Sequence, residues 1–302
     1  MPEAVELNTG QQVPAVCFGG GQRLKDPAVF ELALGAGFRF IDTAFTYRND
    51  HFIFDSEIGR RLLSEERDHV VVGSKTNLRL PLPEALEEAL ERMTLERLDL
   101  LLLHHPVAPD GDDHLAKLMH RWGEMETLVD DGRVGGIGLS NTGPSLLGYL
   151  LDNARIPPTV NQVEFHPYMW DRSLYDLATR AGVRIQAYCP LGSPWRAAET
   201  GRRAATDDET IAEIARDRGK TPSQVILRWH IEKGVIPAVS ARSEDHMRED
   251  LDVFDFRLEE GEVAAIDALE RGDRIWRDAP KLAGLFGTVE GGVLTIPEEW
   301  PQ

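Results

Sequence analysis

The sequence predicts a single α/β domain spanning residues 1–302, with eight parallel strands alternating with helices and closing into a (β/α)8 barrel. Three observations lead there. Eight short apolar or alternating runs are separated by segments of helical period, the rhythm of repeated βα units. No Pro-, Gly- or Ser-rich linker divides the chain. Its 302 residues, 42% of them hydrophobic, suit one barrel of roughly 250 residues with extra loops.

Residues 5–16 read as a hairpin about Asn8-Thr9-Gly10. Residues 15–19 form the first barrel strand and run into Gly19-Gly20-Gly21, where backbone N–H groups can approach a ligand closely. A helix over 26–37 stops at a glycine, and the second strand, 38–42, follows. The stretch 48–56, RNDHFIFDS, reads either as a loop packing its own aromatics or as a flap, since it leaves directly from Tyr47. Helices are then expected at 57–63, 83–93, 118–130, 144–153, 172–182, 209–219 and 222–234. Strands are expected at 70–75, 98–104, 134–140, 160–164, 184–188 and 235–239, with loops at 107–114 and 192–208. The tail opens with a helix at 259–271 and then turns loop-like, rich in Gly, Pro and Trp.

Composition narrows the partners. The formal net charge of -18, from 51 acidic and 33 basic residues, repels nucleic acid and acidic membrane surfaces. Two cysteines, Cys17 and Cys189, make no disulfide framework and suit a reducing compartment. The start lacks a signal-peptide pattern and no apolar run is long enough to span a bilayer. The expectation is a cytoplasmic protein, monomeric or weakly oligomeric, acting on a small molecule and using no metal.

The chemistry-bearing residues fall at strand ends. FRFIDTAFTY carries Asp42 and, five positions on, Tyr47; VVVGSK ends in Lys75; LDLLLLH ends in His104. In a parallel barrel these ends share the one face where chemistry is done. A cation beside a buried tyrosine favours phenolate, so Lys75 is expected to lower the Tyr47 pKa. Asp42 keeps that lysine charged and in place. His104 can donate to a substrate oxygen or orient it. Tyr47 is then placed to protonate a carbonyl oxygen, provided a hydride reaches the carbon. No side chain supplies hydride, which implies a nicotinamide cofactor.

IDTAFTY, the SK pair and LLLHHP are similar to the signature of the aldo-keto reductase superfamily, and the resemblance runs almost end to end. It implies a TIM barrel whose N-terminal hairpin closes the bottom and whose C-terminal loop covers the active site. It also implies Asp42, Tyr47, Lys75 and His104 as a catalytic tetrad. The reaction would be NAD(P)H-dependent reduction of an aldehyde or ketone to an alcohol, with Tyr47 as general acid. Two alternatives stay open: a cofactor-binding barrel with little turnover, and a reductase of a C=N or C=C bond in a biosynthetic pathway.

Ser140 and Asn141, Gln162 and Tyr188 stand at further strand ends. Their side chains suit a carboxamide and a flat ring, and together they resemble the family's nicotinamide site. Gly20, Leu191 and Ser193 match other cofactor contacts, while His166 reads as structural. NADPH-using relatives carry Lys-Ser after strand eight, then Arg, then Glu-Asn. Without gaps this chain has Ser240, Ala241, His246, Glu249 and Asp250 there. The clamp's lysine, serine and arginine are absent, though Arg242 lies nearby and a guanidinium can grip phosphate bidentately. Ser240, Arg242 and Glu249 are therefore the residues expected at this end, with NADP(H) favoured and NAD(H) possible. On the substrate side, Gly21 stands where an aromatic is common and His105 replaces the tryptophan of HWP, implying a roomier, more polar pocket. Trp276 joins them as a substrate contact. Leu285, Phe286 and Trp300 either line that pocket or anchor the tail.

Overall fold

The computed structural model describes residues 3–22, 24–107, 113–194, 199, 201–276 and 279–296. A short antiparallel hairpin, β1 (Ala4–Glu6) and β2 (Gln12–Pro14), precedes the barrel. The eight barrel strands are β3 (Cys17–Gly19), β4 (Phe40–Asp42), β5 (Val71–Thr76), β6 (Leu98–Leu103), β7 (Val134–Ser140), β8 (Val160–Glu164), β9 (Arg184–Tyr188) and β10 (Ile236–Val239). Each pairs in parallel with the next, and β10 pairs back onto β3, so the sheet has no free edge.

The barrel interior is narrow and filled. Cys17, Phe40, Val71, Leu100, Leu102, Val160, Ile236 and Ala238 pack there in one cluster with Leu7 and Val13 of the hairpin. The hairpin therefore plugs one mouth, and chemistry is confined to the other. Asn8 Nδ2 to the Pro158 carbonyl (2.9 Å) and Arg184 Nε to the Glu6 carbonyl (3.1 Å) fix the plug.

Outside lie α1 (Pro27–Ala36), α2 (Glu57–Glu65), α3 (Leu82–Met93), α4 (His114–Asp130), α5 (Pro144–Asn153), α6 (Arg172–Arg180), α7 (Glu209–Arg218), α8 (Pro222–Glu232), α9 (Glu244–Leu251), α10 (Glu260–Asp267) and α11 (Ala279–Phe286). Local signals set many ends. Asp26 caps α1 by accepting from Ala28 N, and Gly37 ends it at φ 113°, a conformation open to glycine. Thr221 and Gln224 form a capping box on α8. Among the described residues, no helix is long and apolar enough to cross a membrane.

The structure departs from the sequence reading in three places. The helix expected at 118–130 starts at His114. Helix α9 was not foreseen, because EDHMREDL has too few apolar residues to show a period; Ser243 caps it by accepting from His246 N. The tail is not merely loop: after a shorter α10 it forms α11 and a second hairpin, β11 (Thr288–Glu290) with β12 (Val293–Thr295).

The stretch after Tyr47 is a pinned turn rather than a flap. Asn49 is buried; it accepts from Thr43 Oγ1 and donates to the carbonyls of Gly20, Gly21 and Leu24. Asp50 is fully buried and held by two arms of Arg92 from α3. Two buried polar side chains with all these partners hold this segment in place.

Candidate active site

Parallel pairing puts the ends of β4, β5 and β6 side by side, with Asp42 opposite Gly73 and Lys75 opposite Leu102. The four expected residues therefore meet at one rim. Lys75 is 1% exposed; its Nζ donates to Asp42 Oδ2 at 2.5 Å and to the Thr43 carbonyl at 2.7 Å. The same ammonium lies 5.5 Å from the centroid of the Tyr47 ring. Tyr47 meets His104 edge-to-face, with ring centroids 5.8 Å apart, and His104 stacks on His105 at 4.4 Å.

Burial and pairing oppose each other here. Burial works against the Lys75 ammonium, but Asp42 and then Tyr47 outweigh it, and the lysine pKa ends above its ordinary value. Burial also lifts Asp42 above the usual carboxylate range, against the pull of Lys75. The raised lysine pKa is the direction that matters at neutral pH: the ammonium persists. The expected lowering of the Tyr47 pKa is corrected. Lys75 does pull it down, but burial pushes harder, Asp42 and Cys189 add to it, and the net shift is upward. For a proton donor this is a gain, since the phenol stays protonated through neutral pH.

The next three strand ends hold the residues suited to a nicotinamide. Ser140 Oγ donates to the Gln162 carbonyl at 2.9 Å. Asn141 Nδ2 donates to the His104 carbonyl (2.9 Å) and to Ser140 Oγ (3.1 Å), and Asn141 Oδ1 accepts from the Tyr188 hydroxyl (3.0 Å). Asn141 thus ties the Tyr188 ring to the catalytic histidine's backbone. Gln162 is the group left over. It exerts a weak downward pull on the Asp42 pKa, yet its buried Nε2 has no hydrogen bond of regular length among the described residues. A buried amide donor without a partner is costly. A carboxamide oxygen is a chemically apt partner, and the donor set fits a nicotinamide.

Comparison with known proteins gives the family of the chain. The model of the Aldo/keto reductase family matches residues 22–271. The chain belongs to the aldo-keto reductase family. Among its relatives, Aldo-keto reductase family 1 member A1-A of Danio rerio is 33% identical, over 92% of this chain and 97% of the relative. Glyoxal reductase of Bacillus subtilis is 32% identical, over 91% and 95%. A Bombyx mori aldo-keto reductase solved in complex with NADP superposes with a TM-score of 0.82 at 28% identity, covering 91% of this chain and 94% of that one. This aldo-keto reductase is accordingly an NAD(P)H-dependent oxidoreductase that reduces carbonyl groups.

Other cofactor-side residues are placed less uniformly. Gly20 donates its N–H to the Asp42 carbonyl at 2.7 Å, and a Cβ there would crowd that oxygen and the Phe30 ring at 3.0 Å. Ser193 is buried, Leu191 half-buried, and Cys189, Gly192 and Ser193 all have positive φ, making a tight turn after β9. At the far end, Ser240 and Arg242 are exposed at the start of the α9 segment. Glu249 instead accepts a short hydrogen bond from Thr221 Oγ1, joining α9 to α8. Asp250 is buried beside Glu249, and burial first, then that neighbour's charge, raises its pKa to about 7.

On the substrate side a Cβ on Gly21 would meet nothing within 4 Å, consistent with an open wall. Trp276 sits at the rim, its indole Nε1 donating to Cys189 Sγ at 3.1 Å. Leu285 and Phe286 pack with Val163, Phe165, Met169 and Leu174 around a small cavity, and so anchor the tail. Trp300 lies outside the described residues. Sequence reading missed Glu164. Its signal was an acid at the end of a barrel strand, the same mark that singled out Asp42.

Proposed function

We propose that Tyr47 is the general acid of the carbonyl reduction, with Lys75, Asp42 and His104 setting its environment. The observation that supports this is the buried Lys75 ammonium, shared between the Asp42 carboxylate and the Tyr47 ring at the only rim the hairpin leaves open. Tyr47 holds its proton in the free enzyme and gives it to the carbonyl oxygen as negative charge develops there. Lys75 stabilises the phenolate that results, and Asp42 keeps Lys75 charged and oriented. His104, edge-on to Tyr47, orients the carbonyl oxygen toward the phenol. Ser140, Asn141, Gln162 and Tyr188 hold the nicotinamide end of the cofactor, and Gly20, Leu191 and Ser193 border it. When bound, the reduced cofactor supplies the hydride.

We favour NADPH over NADH. The silkworm relative was solved with NADP, and Arg242 is exposed with no hydrogen bond or ion pair among the described residues, so it is available to a phosphate. Nearby Arg248 is held by Glu244 at 2.5 Å. For the substrate we favour a polar carbonyl compound larger than a simple aldehyde. Gly21 leaves room at the wall and His105 gives it polarity, while the Corynebacterium relative is named 2,5-diketo-D-gluconic acid reductase B.

Loss of reduced-cofactor absorbance with a graded carbonyl panel tests the reading. Tyr47→Phe should lower kcat by about 10²–10⁴-fold while leaving cofactor affinity in place. Turnover unchanged in Tyr47→Phe overturns the assignment. Preference for only the smallest aldehydes overturns the substrate class.

A further inference from the structure

The C-terminal segment reaches the rim through one carboxylate. Glu164 ends β8 and is 3% exposed. Its Oε1 accepts from Ile275 N at 2.5 Å and from His166 Nε2 at 3.2 Å; its Oε2 accepts from Trp276 N at 3.1 Å. Three donors thus converge on two oxygens from residues 111 and 112 positions away in sequence and from a neighbour two away. An amide in its place would offer one oxygen and turn an NH2 toward a backbone N–H, leaving a buried donor unpaired. The chemistry of the position therefore requires an acid.

What the acid holds is the backbone of Trp276. With that N–H pinned, the indole Nε1 also donates to Cys189 Sγ. Cys189 follows Tyr188, which is bonded to Asn141, which is bonded to the His104 carbonyl. Downstream the tail docks on the same rim at close range: Gly143 N donates to the Gly284 carbonyl at 2.9 Å, and a Cβ on Gly284 would fall 2.2 Å from the Asn141 carbonyl. The carboxylate at the end of β8 is thus the peg from which the Trp276 indole is hung beside Cys189, a residue near enough to Tyr47 to act on its hydroxyl.

We propose that Glu164 is a positioning residue for substrate selection, acting through Trp276 rather than on the reacting atoms. This rests on the carbonyl-reductase reading above. Removing the peg loosens an indole that contacts substrate before and during reaction, so it weakens substrate binding more than chemistry.

The experiment compares wild type, Glu164→Gln, Trp276→Ala and the double variant, with Glu164→Asp as a milder form should Glu164→Gln fold poorly. Glu164→Gln is expected to raise KM for the best carbonyl about ten-fold, with kcat within about three-fold and cofactor affinity unchanged; Glu164→Asp should fall between it and wild type. The double variant should be no worse than Trp276→Ala alone, because two residues acting through one contact do not add. An unchanged KM, losses that add, or cofactor affinity falling in step with KM would each overturn the proposal. A second readout needs no turnover. The emission difference between each parent and its Trp276→Ala partner isolates this indole among six tryptophans. It should shift to the red when Glu164 is Gln; an unshifted difference spectrum counts against the peg. If wild type turns over no carbonyl, the reductase reading fails, and fluorescence still decides whether Glu164 holds the indole.

Discussion

Asp42–Lys75 and Asp50–Arg92 are both acid–base pairs with a buried carboxylate, closed at hydrogen-bond length, 2.5 Å between Lys75 Nζ and Asp42 Oδ2 and 2.6 Å between Arg92 Nη2 and Asp50 Oδ2. Both belong to the β4–α3 part of the chain, and in both the carboxylate is out of water. They differ in what the cation faces. Arg92 spends two arms on Asp50 and a third contact on Glu88 at 3.0 Å, all within the scaffold. Lys75, a point charge with three donors, uses two on Asp42 and Thr43 and keeps the Tyr47 ring at 5.5 Å. A planar fork fixes a turn; a compact ammonium leaves field over for a neighbouring phenol. Burial and pairing alone would not tell the functional pair from the structural one.

The sharpest way to break this contrast is Lys75→Met. It should remove turnover by about 10²-fold or more and also destabilise the fold by about 3–5 kcal/mol, since Asp42 is left buried and uncompensated. Paired kinetics and thermal unfolding measure both. Asp50→Ala should separate the two effects. It leaves Arg92 partly exposed, so unfolding should shift by about 3 kcal/mol at most, while kcat of the folded enzyme stays within ten-fold. A larger kcat loss would mean that the turn after Tyr47 is part of the catalytic apparatus.

His230 supplies a buried ionisable group with no carboxylate partner among the described residues. Both its ring nitrogens face carbonyls, of Ile226 and Phe165, which favours the charged form, but burial outweighs them and brings its pKa down to about 4. The unfolded chain takes up this proton near pH 6.5 and the folded chain only near pH 4. Stability is therefore intact above 6.5 and falls as pH drops toward 4, by up to about 3 kcal/mol. His230→Gln should flatten that part of a denaturant-midpoint-versus-pH curve. The smallest expected effect is at the cofactor's far end. Arg242→Ala should lower NADPH preference by about ten-fold, the value of one exposed charge-assisted contact. Preference surviving the change removes Arg242 from the phosphate site.

Much of the rim was legible because a parallel barrel converts position in sequence into position in space. Asp42, Lys75 and His104 were each marked as ionisable groups ending or following apolar strands, and strand adjacency did the rest. The direction of the Tyr47 shift was not legible, because it depends on how far burial outweighs a neighbouring charge. Sequence left the stretch at 48–56 open between a loop packing its own aromatics and a flap leaving from Tyr47 for a similar reason: the buried partners of Asn49 and Asp50 come from Gly20, Leu24 and Arg92, remote in sequence. Helix α9 and the tail helix α11 were hidden by weak periodicity and a high content of turn-forming residues.

Sequence by itself determined the βα rhythm, the closed sheet and the four residues of the rim, because hydrophobic period and strand ends are local properties that the chain carries wherever it folds. Tertiary structure alone decided which acid holds the tail, which way each buried pKa moves and which of two similar ion pairs faces the chemistry. Those outcomes depend on burial and on contacts between groups more than a hundred residues apart, such as Glu164 with Ile275, and neither is written in any local stretch of the chain.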